Sequence, residues 1–254
     1  MRTGRVALVT GASRGLGRAI AERLAEDVAA VAVNFIARKD EAEQVAAERR
    51  AKGGRAIAVQ ADTGDTGQVA TMALAVEREL GPVEILVNNA GVFFGGELED
   101  FDYTRMEAMR RTNVDGVVNV TRSVIEGMKA RRWGRIINLT SIAGFGTAMS
   151  GTTFYAATKA AVSVLTRRFA MDFGPHGITV NAIAPGFIVT DMATHGRSEE
   201  EMQKVTGALA AKTMMRRTGV PADIANTASF LASEQSGFVT AQVLTVDGGR
   251  MDYI

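Results

Sequence analysis

The chain has 254 residues, 46% of them apolar and 22% charged, with a formal net charge of +1. That length can bury a substantial core, and so even a charge balance supplies no global field for nucleic acid or an acidic membrane surface. With no cysteine and only two isolated histidines, His176 and His195, disulfides and thiolate metal sites are excluded and no metal centre is expected.

The opening MRTGRVALVTGAS holds only a short apolar run, too brief for a signal-peptide core, and no later run approaches the ~18 apolar residues of a membrane span. A soluble, cytoplasmic protein is expected. Runs rich in Val and Ile then recur: RVALVT (5–10), AVAVNF (30–35), AIAVQAD (56–62), EILVNNAG (84–91), RIINLTS (135–141), ITVNAIAPG (178–186) and VLTVD (243–247). Most are continuously apolar, as strands covered on both faces of a parallel sheet must be. Between them the spacing predicts helices over 15–27, 40–52, 66–80, 103–130, 152–173 and 221–233, the last opening on Pro221. Such alternation, with no linker, predicts one α/β domain over 1–254. Its expected form is a Rossmann-type doubly wound sheet of about seven parallel strands with helices on both faces. Residues 187–220 interrupt the alternation with mixed charged and small residues. Loops at the carboxyl ends of parallel strands form the ligand crevice, so this insertion is the candidate substrate lid. The first helix exits through AEDVAAVAV, which has no glycine, so an irregular turn is expected there.

TGASRGLG (10–17) joins the first strand to the first helix. Gly11 permits a tight turn, Gly15 lets backbone approach a pyrophosphate, and Gly17 lets the helix sit close to the sheet. Free N–H groups and the positive dipole end of that helix favour phosphate. Tyr155 and Lys159 lie four apart in FYAATKAA and share one helix face. In that register Ala157, Ala161, Val164 and Leu165 are expected on a different, buried face.

The T-G-x-x-x-G-x-G spacing resembles the classical short-chain dehydrogenase/reductase family. The resemblance continues in order through NNAG (88–91), Asn113, Ser141, Y-x-x-x-K, PG (185–186), Thr190 and VDGG (246–249), and so covers nearly the whole chain. It implies a catalytic set of Asn113, Ser141, Tyr155 and Lys159. Tyr155 would protonate a carbonyl oxygen that Ser141 hydrogen-bonds, Lys159 would lower the phenol pKa and bind the nicotinamide ribose, and Asn113 would hold a relay water. Bringing a phenol from about 10 to neutrality requires roughly 4 kcal/mol. An ammonium 4 Å away supplies about 1 kcal/mol in water but about 4 at an effective dielectric of 20. The lysine suffices only in a partly dry cleft, aided by an oxidised nicotinamide. The same resemblance implies cofactor contacts from Gly11, Ser13, Arg14, Gly15, Leu16, Gly17, Asp62, Thr63, Asn89, Ala90, Gly91, Tyr155, Lys159, Pro185, Gly186, Ile188 and Thr190. Asp62 can equally cap the segment that follows it.

The second strand ends VNFIARKDE, with Phe35 where NAD-preferring relatives carry an acid and Arg38 and Lys39 following. With Arg14 in the turn, the missing acid and available bases favour NADP(H) over NAD(H). TGASRGLGRAIA, GRIINLTS and ITVNAIAPGFIVTDM resemble the 3-oxoacyl-(acyl-carrier-protein) reductase-like branch. That implies a ketone or 3-oxoacyl thioester reduced to a secondary alcohol. An acyl carrier protein could be gripped by Lys129, Arg131 and Arg132, although His176 replaces a usual arginine. Phe93, Phe94, Phe145, Met149, Phe187 and Met192 are candidates for an apolar substrate pocket. Family resemblance further implies a homotetramer built on 103–130, 152–173 and the C-terminal strand. The alternatives are an NAD-preferring secondary-alcohol dehydrogenase and a non-catalytic dinucleotide-binding regulator.

Overall fold

The computed structural model describes residues 3–190, 196 and 198–253, so the expectations for Met192 and His195 lie outside the described residues. Seven strands, β1 (Thr3–Val9), β2 (Val28–Phe35), β3 (Arg55–Gln60), β4 (Val83–Asn88), β5 (Gly134–Leu139), β6 (Ile178–Pro185) and β7 (Val243–Val246), form one sheet. Their order is β3-β2-β1-β4-β5-β6-β7, every pair parallel. The order reverses between β1 and β4, which opens a crevice at the carboxyl ends of these strands. The continuous apolar runs have the expected cause: neighbouring residues serve opposite faces. Ala7 and Val9 of β1 join one core with Ile85 and Val87 of β4. Val6 and Leu8 join the other with Val83 and Leu86.

Helices α1 (Gly15–Asp27), α2 (Lys39–Ala51), α3 (Thr66–Leu80), α4 (Tyr103–Arg110), α5 (Gly116–Arg131), α6 (Thr153–Phe173), α7 (Glu199–Ala211) and α8 (Pro221–Ala232) complete the frame. Residues of α1, α2 and α8 line the first core, and residues of α3 and α5 the second.

Four expectations are corrected. The predicted helix 103–130 is two α-helices separated by a π-helical turn, Arg111–Asp115. Such turns insert a residue into the helical ladder and are frequent at functional sites. The insertion 187–220 is not wholly irregular, since it contains α7. Ser198 and Glu201 cap α7 reciprocally, the Glu201 N–H donating to Ser198 Oγ at 3.2 Å and the Ser198 N–H to Glu201 Oε2 at 2.7 Å. Leu209 is its one buried residue, so no apolar stripe announced it. The glycine-free exit of α1 is not an irregular turn. The helix runs directly into β2, and the Val28 N–H closes it by donating to the Leu24 carbonyl.

The fourth correction concerns α6. Ala157 and Val164 are exposed, and Ala161 and Leu165 only half-buried. The buried face is Thr158, Lys159, Val162, Ser163, Thr166 and Ala170. It is largely polar because it meets polar partners: Asn138 Nδ2 donates to Thr166 Oγ1 at 2.9 Å, and Asn88 Nδ2 donates to Asn138 Oδ1 at 2.9 Å. Buried polar groups are tolerated where such bonds satisfy them.

Candidate active site

The glycine turn is fixed from three sides. Gly11 has φ +60°, and a Cβ there would stand 2.9 Å from Ala90 Cα. At Gly17 a Cβ would meet the Gly11 carbonyl at 2.3 Å and Asn89 Nδ2 at 2.4 Å, so helix, turn and β4 end are in direct contact. Gly15, at φ +57°, has no such neighbour closer than Thr190 at 3.9 Å, which leaves the start of α1 open to the cleft. Side chains then bind the turn to the strands. Thr10 Oγ1 accepts from the Asn89 and Ala90 N–H groups, both at 3.0 Å, and Asn89 Nδ2 donates to the Thr10 and Gly11 carbonyls. Buried Asn34 accepts from the Gly11 N–H at 3.2 Å and donates to the Ala61 carbonyl at 3.1 Å. Thr10 opens the T-G-x-x-x-G-x-G pattern but had no role of its own assigned, and Asn34 did not stand out in sequence. A lone amide in the apolar run AVAVNF was the available signal.

Around this turn lies a cleft of about 400 Å³. It is lined by Gly11, Ser13, Arg14, Gly15, Leu16 and Gly17, by Asp62 and Thr63, by Asn89, Ala90 and Gly91, by Tyr155 and Lys159, and by Pro185 and Thr190. Arg38 lines it too, paired to Glu41 at 2.5 Å. Phe35 also borders it but is buried in the first core, so no carboxylate stands at the end of β2. Asp62 lies two residues beyond β3. Its Oδ1 accepts from the Gly64 N–H at 2.9 Å and its Oδ2 takes Arg111 at 2.7 Å. Gly186 meets Asp247, whose Cα would be 2.7 Å from an added Cβ. Ile188 buries its side chain in the first core, where its Cδ1 would be 2.2 Å from a Cβ on Gly219, so only its backbone remains for a ligand. A glycine cradle at an open helix start, an acid-free β2 end and flanking bases together fit a dinucleotide.

Of the four candidate catalytic residues, Tyr155 and Lys159 line this cleft, while Ser141 reaches it through a hydrogen bond with Tyr155 and Asn113 stands behind it, bonded to Thr158. Asn113 sits in the π-helical turn, buried. Its Oδ1 accepts from the Val92 N–H at 2.8 Å, and its Nδ2 donates to the Val92 carbonyl at 2.9 Å and to Thr158 Oγ1 at 3.1 Å. Thr158 donates in turn to the Tyr155 carbonyl at 2.7 Å, a link that sequence reasoning missed. Lys159 is buried, its Nζ donating to the Leu139 carbonyl at 2.8 Å and standing 5.7 Å from the centroid of the Tyr155 ring. Ser141 caps the 3-10 turn Ile142–Phe145 by accepting from the Ala143 N–H at 3.1 Å.

Burial governs the two titrating groups. It pushes the Tyr155 phenol up to about 12, against a smaller downward pull from its hydrogen bond to the Ser141 hydroxyl. It brings the Lys159 ammonium down to about 8. The lowering expected from the lysine was conditional on a bound oxidised nicotinamide, and in the protein alone burial is the larger influence on the phenol.

Of the expected apolar pocket, Phe93 meets Tyr155 edge-on, centroids 5.1 Å apart at 87°. Phe145 and Met149 are each 42% exposed on the loop between Ser141 and Tyr155. Phe94 and Phe187 are half-buried, Phe94 beneath the Arg105 guanidinium at 5.8 Å. The proposed basic patch is partly committed: Lys129 pairs with Glu126, Arg131 donates to the Val83 carbonyl and Arg132 to that of Pro175. His176 is half-buried nearby. A larger groove of about 620 Å³ lies between α1, α2 and α8, but its charged rim is tied in Arg18–Glu22 and Arg18–Glu48 pairs. Among the described residues no group of histidine and acidic side chains is arranged to hold a metal, and no helix is long and apolar enough to cross a membrane.

The short chain dehydrogenase family profile matches residues 5–202. The chain is 42% identical over 243 residues to the 3-oxoacyl-[acyl-carrier-protein] reductase FabG of Staphylococcus epidermidis, covering 96% of this chain and 97% of that one. Among solved structures it superimposes on a gluconate 5-dehydrogenase from Burkholderia cenocepacia in complex with NADP and tartrate, with a TM-score of 0.89, 36% identity and 97% and 94% of the two chains covered. It also resembles a blue fluorescent protein from a metagenomic library in complex with NADPH, with a TM-score of 0.88, 38% identity and 97% and 98% covered. These likenesses span the sheet, the glycine turn and the Tyr155–Lys159 helix alike, and the chain belongs to the short chain dehydrogenase family, as an NAD(P)-dependent oxidoreductase acting on CH–OH groups.

Proposed function

We propose that this protein is an NADP(H)-dependent reductase that converts a ketone or 3-oxoacyl group to a secondary alcohol. The observation that carries the reading is one cleft lined by both the glycine cradle and the Tyr155–Lys159 pair, with Ser141 bonded to Tyr155 and Asn113 bonded behind them to Thr158. The dinucleotide, when bound, supplies the hydride. Gly11–Gly17 and the start of α1 would hold its phosphates, Asp62 and Thr63 its adenosine end, and Asn89–Gly91, Lys159, Pro185–Gly186, Ile188 through its backbone, and Thr190 the rest. Ser141 orients the substrate oxygen, and Tyr155 donates the proton that neutralises it. Burial alone holds the phenol at about 12 and so keeps Tyr155 protonated in the neutral range. The positive charges of Lys159 and of an oxidised nicotinamide would bring it back toward the value a proton-transfer group needs. Hydrogen-bond donors fixed before reaction are what stabilise charge developing on that oxygen. Asn113 keeps Val92 and Thr158 in place behind the lysine.

Preference for NADP(H) is supported by Phe35 at the end of β2 and by Arg14 and Arg38 on the cleft. The Arg38–Glu41 pair favours the second reading, an NAD-preferring secondary-alcohol dehydrogenase, because it commits one of those bases. The 3-oxoacyl class is supported by the name of the Staphylococcus relative, and an apolar flank by Phe93, Phe145 and Met149. Lys129, Arg131 and Arg132 are the surface for an acyl carrier protein if the substrate is carrier-bound. A cytoplasmic homotetramer completes the proposal, its contacts falling on α5 and α6, where Val118, Val164 and Met171 are exposed, and on the edge strand β7. Residues 187–220 are the substrate lid.

The test is a panel of simple ketones and 3-oxoacyl thioesters, each assayed with NADH and NADPH, for the wild type and Tyr155→Phe. NADPH-dependent turnover lost in Tyr155→Phe, with NADPH binding retained, is expected. Wild-type turnover in that variant overturns the mechanism.

A further inference from the structure

The segment after β7 has no part in the catalytic set, yet it bonds to both the loop between Ser141 and Tyr155 and the residues that follow α7. Gly248 and Gly249, at φ +69° and +72°, turn the chain back across residues 212–215, the foot of α7. The Met214 N–H donates to the Gly249 carbonyl and the Met215 N–H to that of Gly248, both at 3.0 Å, and the Met251 N–H donates to the Lys212 carbonyl at 3.0 Å. A Cβ on Gly249 would lie 2.9 Å from Met214 Sδ, so the Met214 side chain packs directly on the tail as well.

Two residues further on, Asp252 ties a knot. Its carboxylate takes the buried Arg250 guanidinium, with one bond at 2.9 Å, and Lys212 Nζ at 3.0 Å. Its carbonyl accepts from the Ala148 N–H at 3.2 Å, and Tyr253 bridges to Thr147. Residues 147 and 148 belong to the loop between Ser141 and Tyr155. Tyr253 also donates to Asp247, the residue packed on Gly186. Hydrogen bonding from Arg250 and Lys212 holds the Asp252 carboxyl at about 2, so the knot keeps its charge at every physiological pH.

We propose that Gly248–Tyr253 is a specificity-determining strap, with Asp252 as its positioning residue, that fixes the foot of the lid against the Ser141–Tyr155 loop and thereby sets the width of the substrate mouth. It rests on the reading of this cleft as the site of ketone reduction. Asp252 touches neither reacting atoms nor the glycine cradle, so its effect falls on substrate fit. Asp252 links the two sides, its carboxylate holding Arg250 and Lys212 and its backbone carbonyl holding Ala148, so losing the carboxylate loosens the lid foot and the loop together.

The test uses the full chain with NADPH, comparing wild type, Asp252→Asn, Asp252→Glu and Lys212→Met on a small and a bulky aryl ketone. Dinucleotide affinity by fluorescence quenching and amide hydrogen exchange are measured alongside. In Asp252→Asn, KM for the small ketone is expected to rise about fivefold, with kcat and NADPH affinity unchanged and the discrimination against the bulky ketone reduced. Exchange in 144–152 and 199–215 is expected to rise in step, and Asp252→Glu to recover part of each effect. Lys212→Met, which removes only an exposed cation, is expected to shift KM the same way by a smaller factor, and it carries the test if Asp252→Asn fails to fold. Unchanged KM and size discrimination in the folded variants, or exchange that rises in the tail alone, overturns the strap. A wild type that binds NADPH but reduces no ketone overturns the proposed function instead, while the paired exchange response still decides the strap.

Discussion

Asn113 grips both backbone groups of Val92, accepting from its N–H at 2.8 Å and donating to its carbonyl at 2.9 Å. The clamp joins the π-helical turn to the segment after β4, and the third bond, to Thr158, carries it to the catalytic helix. Asn113→Ala leaves the half-buried Val92 N–H and carbonyl without their partner, while Thr158 keeps its bond to the Tyr155 carbonyl. Each such loss costs about 1–3 kcal/mol. A fall in urea-denaturation stability of about 2–4 kcal/mol, with reductase activity lost, is the expected outcome. Unchanged stability would show that the clamp is ornamental.

The glycines of the turn differ in what they tolerate. Gly17→Ala drives a methyl into the Gly11 carbonyl and Asn89, whereas Gly15→Ala meets open space and carries only a left-handed φ. For Gly15→Ala the expected penalty is about 1–2 kcal/mol. Gly17→Ala is expected to abolish NADPH binding as read by fluorescence, and Gly15→Ala to leave a folded protein with weakened binding. The reverse ranking contradicts the packing described.

Lys159 gives a pH-dependent signature. Its folded pKa of about 8 lies below the ordinary lysine value of about 10.4. Between the two, the unfolded chain binds more protons than the folded one, so this group makes stability rise with pH across that window. Lys159→Met removes that contribution. Relative to the variant, the wild type is expected to gain on the order of 3 kcal/mol between pH 8 and 10. Parallel stability curves from denaturant titrations at several pH values would refute it. The raised Tyr155 phenol acts with opposite sign only above about pH 10, the ordinary phenol value, and does not obscure the effect.

Arg14 and Arg38 are separable by their pairing. Arg38 is engaged by Glu41, while Arg14, also on the cleft, makes no ion pair among the described residues. Arg14→Ala is expected to raise KM for NADPH about tenfold with little change for NADH, the scale of one lost charge-assisted contact to phosphate. Glu41→Gln, which frees Arg38, is expected to lower KM for NADPH. Equal effects on both dinucleotides would remove the two arginines from nucleotide selection.

Much of this was legible beforehand because it is local or periodic. Thr66–Leu80 matches its predicted range because apolar residues recur on one helical face and Asp65 caps it, its side chain accepting from the Gln68 N–H at 2.9 Å. The π-helical turn was not legible, since nothing in RRTNVDG distinguishes an inserted residue from a regular turn. It becomes necessary only when Asn113 must reach Val92. The buried face of α6 was misassigned for a related reason. Alanine, valine and leucine mark the core side by composition, and only the presence of Asn138 opposite makes Thr166 the residue that belongs inside.

By itself the sequence determined the alternating strands and helices, the glycine turn and the ordered series of catalytic residue types, because each depends on backbone conformation or on spacing along the chain. Tertiary structure alone decided which groups those residues face. Lys159 turned to the Leu139 carbonyl, Asp62 to Arg111 and the C-terminal tail to the lid, contacts between segments far apart in the chain. It also decided their chemistry, because the pKa of Tyr155 is set by how much protein surrounds the phenol, and that is known only once the sheet, the loops and α6 have closed upon it.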